Sequence, residues 1–139
     1  HLADLGVDAI LFRGEGDYPG ALQKQMPGTD VDVVADIVAG EQVAQLIDVL
    51  RVGGRYVTAG AIAGPLVTLD WRKLYLKHLT LLGATMGTQE ESRQIVAYVA
   101  GGQLRPLLAG TYALEHLVRA QQDFKAKTHF GKLVIVPSE

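Results

Sequence analysis

The segment from Val31 to Ala61 constrains the fold more than any other part of this chain, because it has the pattern of a strand, a helix and a second strand. Val31 to Ala35, followed by Asp36, is an apolar run typical of strands buried on both faces of a parallel sheet. Gly53 and Gly54 are expected to end the helix, since glycine adopts the left-handed conformation common at helix ends. The pattern predicts a right-handed βαβ unit with parallel strands.

The predicted helix carries one apolar stripe, and the second strand ends at a glycine. Val43, Leu46, Ile47 and Leu50 have the i, i+3, i+4, i+7 spacing of a helix face that packs on a sheet. The second strand, Arg55 to Ala59, is rich in β-branched and aromatic residues, and Gly60 after it permits close approach of a ligand. Ligands of parallel sheets lie beyond the carboxyl ends of the strands, so we expect a site near residues 37–40 and 60–63.

Composition places the chain among globular proteins with a core of ordinary size. Its 139 residues are 48% hydrophobic, and 13 basic and 15 acidic side chains give a net charge of -2, which favours neither nucleic acid nor a membrane surface as a partner. Cysteine is absent, which excludes disulfides and thiolate zinc ligands in this chain, and no apolar run reaches the roughly 20 residues of a membrane span. We therefore expect a cytoplasmic protein. The chain begins at His1 inside what looks like a helix end, so we interpret it as a piece of a longer polypeptide.

Further elements are predicted on both sides of the βαβ unit. Asp8 to Phe12 has the pattern of a short strand, and Pro19 suits the first turn of a helix that reaches about Met26. The elements expected after Gly60 are an extended piece at Leu66 to Leu69, a helical turn at Trp71 to Lys77 and a strand at Leu79 to Ala84.

The last part of the chain is predicted to contain two helices and two strands. Thr88 and Glu91 have the spacing of a capping box, so a helix begins at about Gln89. Pro106, within Leu104 to Thr111, indicates an edge strand or a strand outside the parallel sheet. The remaining expectations are a buried stripe of Ile95, Tyr98 and Val99, a helix from about Leu114 with Leu117, Ala120, Gln121 and Phe124 on one side, and a strand at Lys132 to Val136.

Five fragments follow one another in a specific order: VDVVADIVAG, VGGRYVTAGAIAG, LDWRKLYLKHLTLLGATMGTQEE, LRPLLAGTYALEHLVRAQQDF and FGKLVIVP. Together they resemble, over nearly the whole chain, the C-terminal part of the medium-chain dehydrogenase/reductase superfamily, which includes zinc-type alcohol dehydrogenases and quinone oxidoreductases. The resemblance implies an α/β fold, a Rossmann-type parallel sheet flanked by helices, whose first two strands and GxGxxG fingerprint are missing from this chain. Residues 1–103 would be the C-terminal portion of the NAD(P)-binding domain, and residues 104–139 the return segment toward the catalytic domain.

The resemblance implies an NAD(P)-dependent oxidoreductase that transfers hydride between nicotinamide and a carbonyl, alcohol, quinone or enone substrate. The cofactor would be NAD or NADP, with NADP slightly favoured, although the residue that selects between them is missing. Zinc would belong to the absent catalytic domain, and none is predicted in this chain, because His78, His116 and His129 lack ligand spacing. No residue of this chain is predicted to be catalytic.

The resemblance also assigns cofactor contacts residue by residue. Val38 and Ala39 would lie beside the adenosine ribose, and Ala59, Gly60 and Ala61 would pass along the nicotinamide. The remaining predicted contacts are the backbone of Ala84 and Met86 at the carboxamide, and Lys127 or Lys132 at the pyrophosphate.

Other interpretations of these residues stay open. Asp36 is left out of the predicted site, because a solvated carboxylate that caps a turn is the commoner arrangement at a strand end. Tyr56 and Tyr75 are expected to pack rather than donate protons, and Lys127 and Lys132 are as readily solvated as bound to phosphate. The alternative function is a non-enzymatic nucleotide-sensing or dimerisation module on the same fold. A methyltransferase-like α/β protein is a further rival, against which GATMGT and FGKLVIVP argue.

The resemblance finally implies a homodimer and a gap in the sheet. The dimer would form through the Leu66 to Leu69 and Leu79 to Ala84 strands. In the strand order 3-2-1-4-5-6, Asp8 to Phe12 is strand three and Val31 to Asp36 is strand four, so the missing strands leave roughly 14 Å between them at about 4.8 Å per spacing. Unpaired buried edges are costly, so we expect either a longer polypeptide or a different pairing, such as exchange between chains.

Overall fold

The computed structural model describes residues 2–12, 14 and 16–137, and these form two compact units. The first unit runs from Leu2 to Met86, and the second begins at Gly87. His1, the start of the predicted helix end, lies outside the described residues, while Ala3–Leu5 form a 3-10 turn that Gly6 closes with a left-handed φ of 79°.

The first unit contains three strands and three α-helices. A 3-10 turn at Gly40–Gln42 also leads into the second of these helices. In chain order the elements are α1 (Tyr18–Gln25), β1 (Val31–Asp36), α2 (Val43–Val49), β2 (Leu50–Thr58), α3 (Trp71–Leu76) and β3 (Thr80–Gly83).

The three strands of the first unit form one parallel sheet in the order β1-β2-β3. The predicted βαβ unit of parallel strands is confirmed, and the strands that follow Val31–Asp36 lie beside it in chain order. Ile47 and Leu50, with exposures of 1% and 2%, form the centre of a core between α2 and the sheet. Val33 is 45% exposed, so the expected burial of β1 on both faces is wrong, because α2 covers only one face of the sheet.

The junction between α2 and β2 differs from the prediction. The helix ends at Val49, and Leu50 is already extended, so Leu50 belongs to β2 and Gly53 does not end the helix. Gly53 and Gly54 lie instead in an irregular part of β2. Val31 pairs with Leu50 and Val33 pairs with Arg55, so two steps along β1 correspond to five along β2. The carbonyls at the helix end are satisfied instead by the Lys77 ammonium, which donates to Asp48 and Leu50 over 2.8 Å each.

Two predicted strands of the first unit are absent from the structure. Residues 8–12 and 66–69 have no strand conformation, although Leu69 packs against the core. A strand is stable only when a neighbour satisfies its backbone groups. Neither segment belongs to the sheets that the described residues form, so neither has a neighbouring strand to satisfy its backbone groups.

The second unit contains a helix followed by a small α/β arrangement. Its elements are α4 (Gln89–Ala100), β4 (Leu108–Ala113), α5 (Leu117–Ala126) and β5 (Lys132–Val136), with a 3-10 turn at Leu114–His116. β4 and β5 pair in parallel as a separate two-stranded sheet, so the strand that follows Pro106 lies outside the three-stranded sheet, as predicted.

The predicted burial of α4 is wrong. Its stripe of Ile95, Tyr98 and Val99 is 55%, 46% and 38% exposed. The spacing of these residues on one face is helical, but burial needs a surface to pack against. On α5, Ala120 is buried while Phe124 is 54% exposed. Every helix in the described part of the chain is too short or too polar to cross a lipid bilayer.

Candidate functional site

The carboxyl ends of all three strands of the first unit lie at one rim of the sheet. Asp36 is paired with Thr58, and Thr58 with Gly83, so the strands end side by side. The Ala59 amide donates to the Asp36 carbonyl over 2.9 Å, and the Ala84 amide donates to the Thr58 carbonyl over 2.8 Å. The three chain reversals therefore gather at one edge, which is where parallel sheets bind ligands.

This rim contains the predicted cofactor contacts of the first unit. The loop after β1 contains Val38 and Ala39, the loop after β2 contains residues 59–61, and Ala84 and Met86 follow β3. Ala39 is buried, whereas Met86 is 91% exposed. The structure thus brings these positions to one edge of the sheet, although their contacts with a nucleotide stay predictions.

Two of the rim loops are joined by backbone hydrogen bonds. The Ala63 amide donates to the Val38 carbonyl over 2.9 Å, and the Gly40 amide donates to the Gly64 carbonyl over 3.1 Å. A Cβ at Gly60 would stand 2.6 Å from the carbonyl oxygen of Ile37. Gly60 therefore permits the two loops to pack against each other. From the sequence we expected this glycine only to permit the close approach of a ligand.

Asp36 anchors the turn after β1 and is not solvated. Its side chain is only 7% exposed, so the expectation of a solvated carboxylate is wrong, although the expected capping of a turn is correct. One carboxylate oxygen accepts from the Val38 amide over 2.7 Å, and both accept from the Ala39 amide over 3.1 Å. The Tyr56 hydroxyl donates to the second oxygen over 2.6 Å.

Tyr56 packs in the core, as predicted, and also carries this hydrogen bond. Its residue is 5% exposed, and burial first, then the bond to Asp36, raises the pKa of the Tyr56 hydroxyl far above its usual range. The proximity of Tyr56 to Asp36 follows from the register of the two strands. Tyr56 is paired with Val34, so it lies diagonally from Asp36 on the same face of two parallel strands.

The turn that Asp36 anchors contains a strained residue. Ala39 has φ 53° and ψ -144°, a conformation that favours glycine. Such a conformation costs on the order of 1–3 kcal/mol and persists only where surrounding contacts determine it. The two bonds from the Ala39 amide to the carboxylate are contacts of that kind.

A cavity of about 370 Å³ lies beside the rim within the first unit. Its lining includes Ala39, Thr58, Ala61 and Gly83 near the strand ends, and its deeper part is lined by aliphatic side chains such as Ile47. A cavity of this volume and apolar lining accommodates a ring more readily than a phosphate.

Lys127 and Lys132 belong to the second unit and flank the loop between α5 and β5. The Lys127 ammonium lies 3.7 Å from the centroid of the Phe124 ring, a cation–π contact within its own unit. Lys127 also ends α5 with a left-handed φ of 54°. Lys132 is exposed at the start of β5.

The described residues do not fit a zinc ion. Within residues 2–12, 14 and 16–137 no three histidine, aspartate or glutamate side chains come together as a possible metal site, and the chain has no cysteine. A structural or catalytic zinc ion needs at least three such protein ligands.

A parallel sheet built around a βαβ unit, with its strand ends gathered at one rim, defines the rear part of a Rossmann-type α/β fold. A family profile described as zinc-binding dehydrogenase matches residues 5–135. The chain belongs to this family, which confirms the resemblance to the C-terminal part of the medium-chain dehydrogenase/reductase superfamily.

Individual relatives agree with this assignment. A crystal structure of a candidate alcohol dehydrogenase from Sinorhizobium meliloti 1021 has a TM-score of 0.83 and 46% identity, covering 99% of this chain and 38% of its own. A structure of an NAD-dependent alcohol dehydrogenase has a TM-score of 0.76 and 26% identity, covering 96% of this chain and 39% of its own. Crotonyl-CoA reductase from Streptomyces collinus is 28% identical over 115 residues, which are 81% of this chain and 26% of the relative. The chain therefore spans well under half the length of these relatives.

Proposed function

We propose that this chain is the rear part of the cofactor domain of an NAD(P)-dependent oxidoreductase. The observation that carries the proposal is the alignment of the ends of β1, β2 and β3 at one rim, with small residues within four positions of each end: Ala39 and Gly40, Ala59 to Ala61, and Ala84. The zinc-binding dehydrogenase family and the dehydrogenase and reductase names of the relatives support it. Residues 1–103 would belong to the cofactor domain, and residues 104–139 would return toward the catalytic domain.

The bound nicotinamide would supply the hydride for a carbonyl, alcohol, quinone or enone substrate, and the protein would orient its ring. Ala59, Gly60 and Ala61 would pass along that ring, since they lie at the rim and Ala61 lines the apolar cavity. These positions do not distinguish NAD from NADP. The residue that selects between the two cofactors follows the second strand of the fold, ahead of the strands described here.

The hydrogen bonds of the rim restrict which backbone atoms are available to the nucleotide. The Ala84 amide already donates to the Thr58 carbonyl, so a carboxamide would be held by the Ala84 carbonyl or by the Met86 backbone. The amides of Val38 and Ala39 already donate to Asp36, so these amides would not be the atoms that meet the ribose.

Between the two candidate lysines, the contacts favour Lys132 as the phosphate ligand. The Lys127 ammonium is already placed over Phe124, whereas the Lys132 side chain is exposed at the start of its strand. In the polypeptide that contains this chain, Lys132→Ala should weaken NADPH binding and reduce its dependence on salt, while Lys127→Ala should change it less. Equal effects of the two variants would contradict this choice.

The proposed function is tested by isothermal titration calorimetry of that polypeptide with NADH, NADPH and S-adenosylmethionine, each titrated separately. We expect saturable binding of a nicotinamide nucleotide and no binding of S-adenosylmethionine. Ala61→Leu should weaken the binding by occupying the cavity, whereas Ala100→Leu, at the exposed end of α4, is the matched control. Binding of neither nicotinamide nucleotide would overturn the proposal.

We also propose that the protein forms a homodimer through β3. All four residues of β3 are exposed, and the strand stands at the end of the sheet, where its outer backbone groups can pair with another chain. Residues 66–69 form no strand, so this segment would contribute side-chain contacts rather than strand pairing, and Leu66 is 92% exposed.

A further inference from the structure

The side chains of Asp36 and Tyr56 connect the ends of two strands beneath the rim. Both residues are buried, with exposures of 7% and 5%, and the Tyr56 hydroxyl donates to the Asp36 carboxylate over 2.6 Å. A buried carboxylate is tolerated when donors surround it. Here those donors are a hydroxyl on β2 and two amides in the turn after β1.

The same carboxylate holds the turn in a conformation that the residue type does not favour. Ala39 has a positive φ of 53°, and its amide donates to both oxygens of Asp36 over 3.1 Å. Val38 is held in the same way over 2.7 Å. The Tyr56 hydroxyl donates to the Asp36 oxygen Oδ2, which also accepts from the Ala39 amide, so a residue of β2 shares the carboxylate that holds the turn.

We propose that Asp36 and Tyr56 are positioning residues that set the affinity for the nicotinamide dinucleotide by holding the Val38 and Ala39 turn in its ligand-binding conformation. The inference rests on the proposed function, which places the adenosine ribose beside this turn. A preformed turn lowers the ordering cost of binding. The Tyr56 ring also lines the apolar cavity, but its hydroxyl donates to Asp36 and is the only group that Tyr56→Phe removes, so the proposed effect acts through the backbone of the turn.

Tyr56→Phe is the main test, because it removes the hydroxyl and keeps the ring in the core. In the polypeptide that contains this chain, we expect the Kd for NADH or NADPH to rise about fivefold to tenfold, as for loss of one buried hydrogen bond to a charged group. The KM for the cofactor should rise with it, while kcat and the KM for the second substrate should change less than twofold. If Tyr56 only stabilised the fold, Tyr56→Phe would not raise the KM for the cofactor while leaving kcat and the KM for the second substrate nearly unchanged.

Tyr112→Phe is the matched control, because Tyr112 also donates its hydroxyl to a carboxylate, that of Asp123, over 2.8 Å. This pair lies in the second unit, whereas the Val38 and Ala39 turn belongs to the first. We expect Tyr112→Phe to leave cofactor affinity unchanged. An equal loss of affinity in both variants, or a Kd for Tyr56→Phe within twofold of the original, would overturn the proposal.

Asp36→Asn gives a second measurement. Because Asp36 and Tyr56 share one hydrogen bond, the double variant Asp36→Asn, Tyr56→Phe should lose less affinity than the two single changes predict when added. Additive losses would contradict the pairing.

Amide hydrogen exchange separates failure of this inference from failure of the proposed function. Exchange at Val38 and Ala39 should accelerate in Tyr56→Phe without any ligand. Absence of nicotinamide binding in the unchanged protein would overturn the proposed function and the effect on affinity, while the exchange data would still decide whether Tyr56 holds the turn. Unchanged amide exchange at Val38 and Ala39 in Tyr56→Phe would refute the claim that Tyr56 holds the turn.

Discussion

Gly60 and Ile37 approach so closely that a Cβ on Gly60 would stand 2.6 Å from the carbonyl oxygen of Ile37. The contact joins the loops that follow β1 and β2, and it stands beside the hydrogen bond from the Ala63 amide to the Val38 carbonyl. The shape of the rim therefore depends on the absence of one side chain.

Gly60→Ala should destabilise the protein, because the new methyl group meets backbone atoms that cannot move aside independently. We expect a loss of about 1–3 kcal/mol in the free energy of unfolding, measured by urea denaturation. Gly83→Ala is the matched control, since a Cβ at Gly83 meets nothing within 4 Å and its φ is not positive. Equal stability of the two variants would contradict the close approach.

Thr88→Ala should weaken the start of α4. The Thr88 hydroxyl accepts from the Glu91 amide over 3.2 Å, and the Glu91 carboxylate accepts from the Thr88 amide over 2.6 Å, which is the predicted capping box. Loss of an N-cap hydroxyl costs about 1 kcal/mol, whereas Thr88→Ser keeps it. Faster amide exchange in the first turn of α4 in the alanine variant, but not in the serine variant, is the expected result.

Asp70 should titrate well below an ordinary aspartate. The Arg72 guanidinium and amide bind its carboxylate, and these contacts lower the pKa of Asp70 from 3.8 to about 2. The lowered pKa favours the ionised form in the folded state, so the resulting stability is fully present above pH 3.8 and is lost as the pH falls toward about 2.

An NMR titration of the Asp70 carboxyl carbon tests this expectation. Arg72→Met should raise the midpoint toward 3.8, while Lys73→Met, which removes a weaker charge contribution, should raise it less. A midpoint near 3.8 before any substitution would show that the Arg72 contacts are not maintained in solution.

Leu82→Lys should shift the polypeptide that contains this chain from dimer toward monomer. Leu82 is 48% exposed on the edge strand β3, where a charge opposes pairing with a second copy. Val118→Lys, on the surface of α5 at 68% exposure, is the control. Light scattering after size exclusion measures both, and an unchanged mass for Leu82→Lys would argue against this interface.

The sequence by itself determined the elements whose signals are local. Pro19 in the first turn of α1, the capping box of α4 and the apolar strand Val31–Asp36 each follow from side chains a few residues apart. The pairing of β1 with β2 was also predicted, since a right-handed βαβ crossover makes its two strands parallel neighbours or near neighbours.

Tertiary structure alone decided the features that depend on distant neighbours. Leu50 joined β2 rather than the helix because the pairing with β1 begins there, and Asp8 to Phe12 formed no strand because no described strand lies paired with it. The bond between Asp36 and Tyr56 joins residues 20 positions apart, and it exists only once two strands lie side by side. Burial and pairing are properties of the assembled sheet, and local sequence patterns do not contain them.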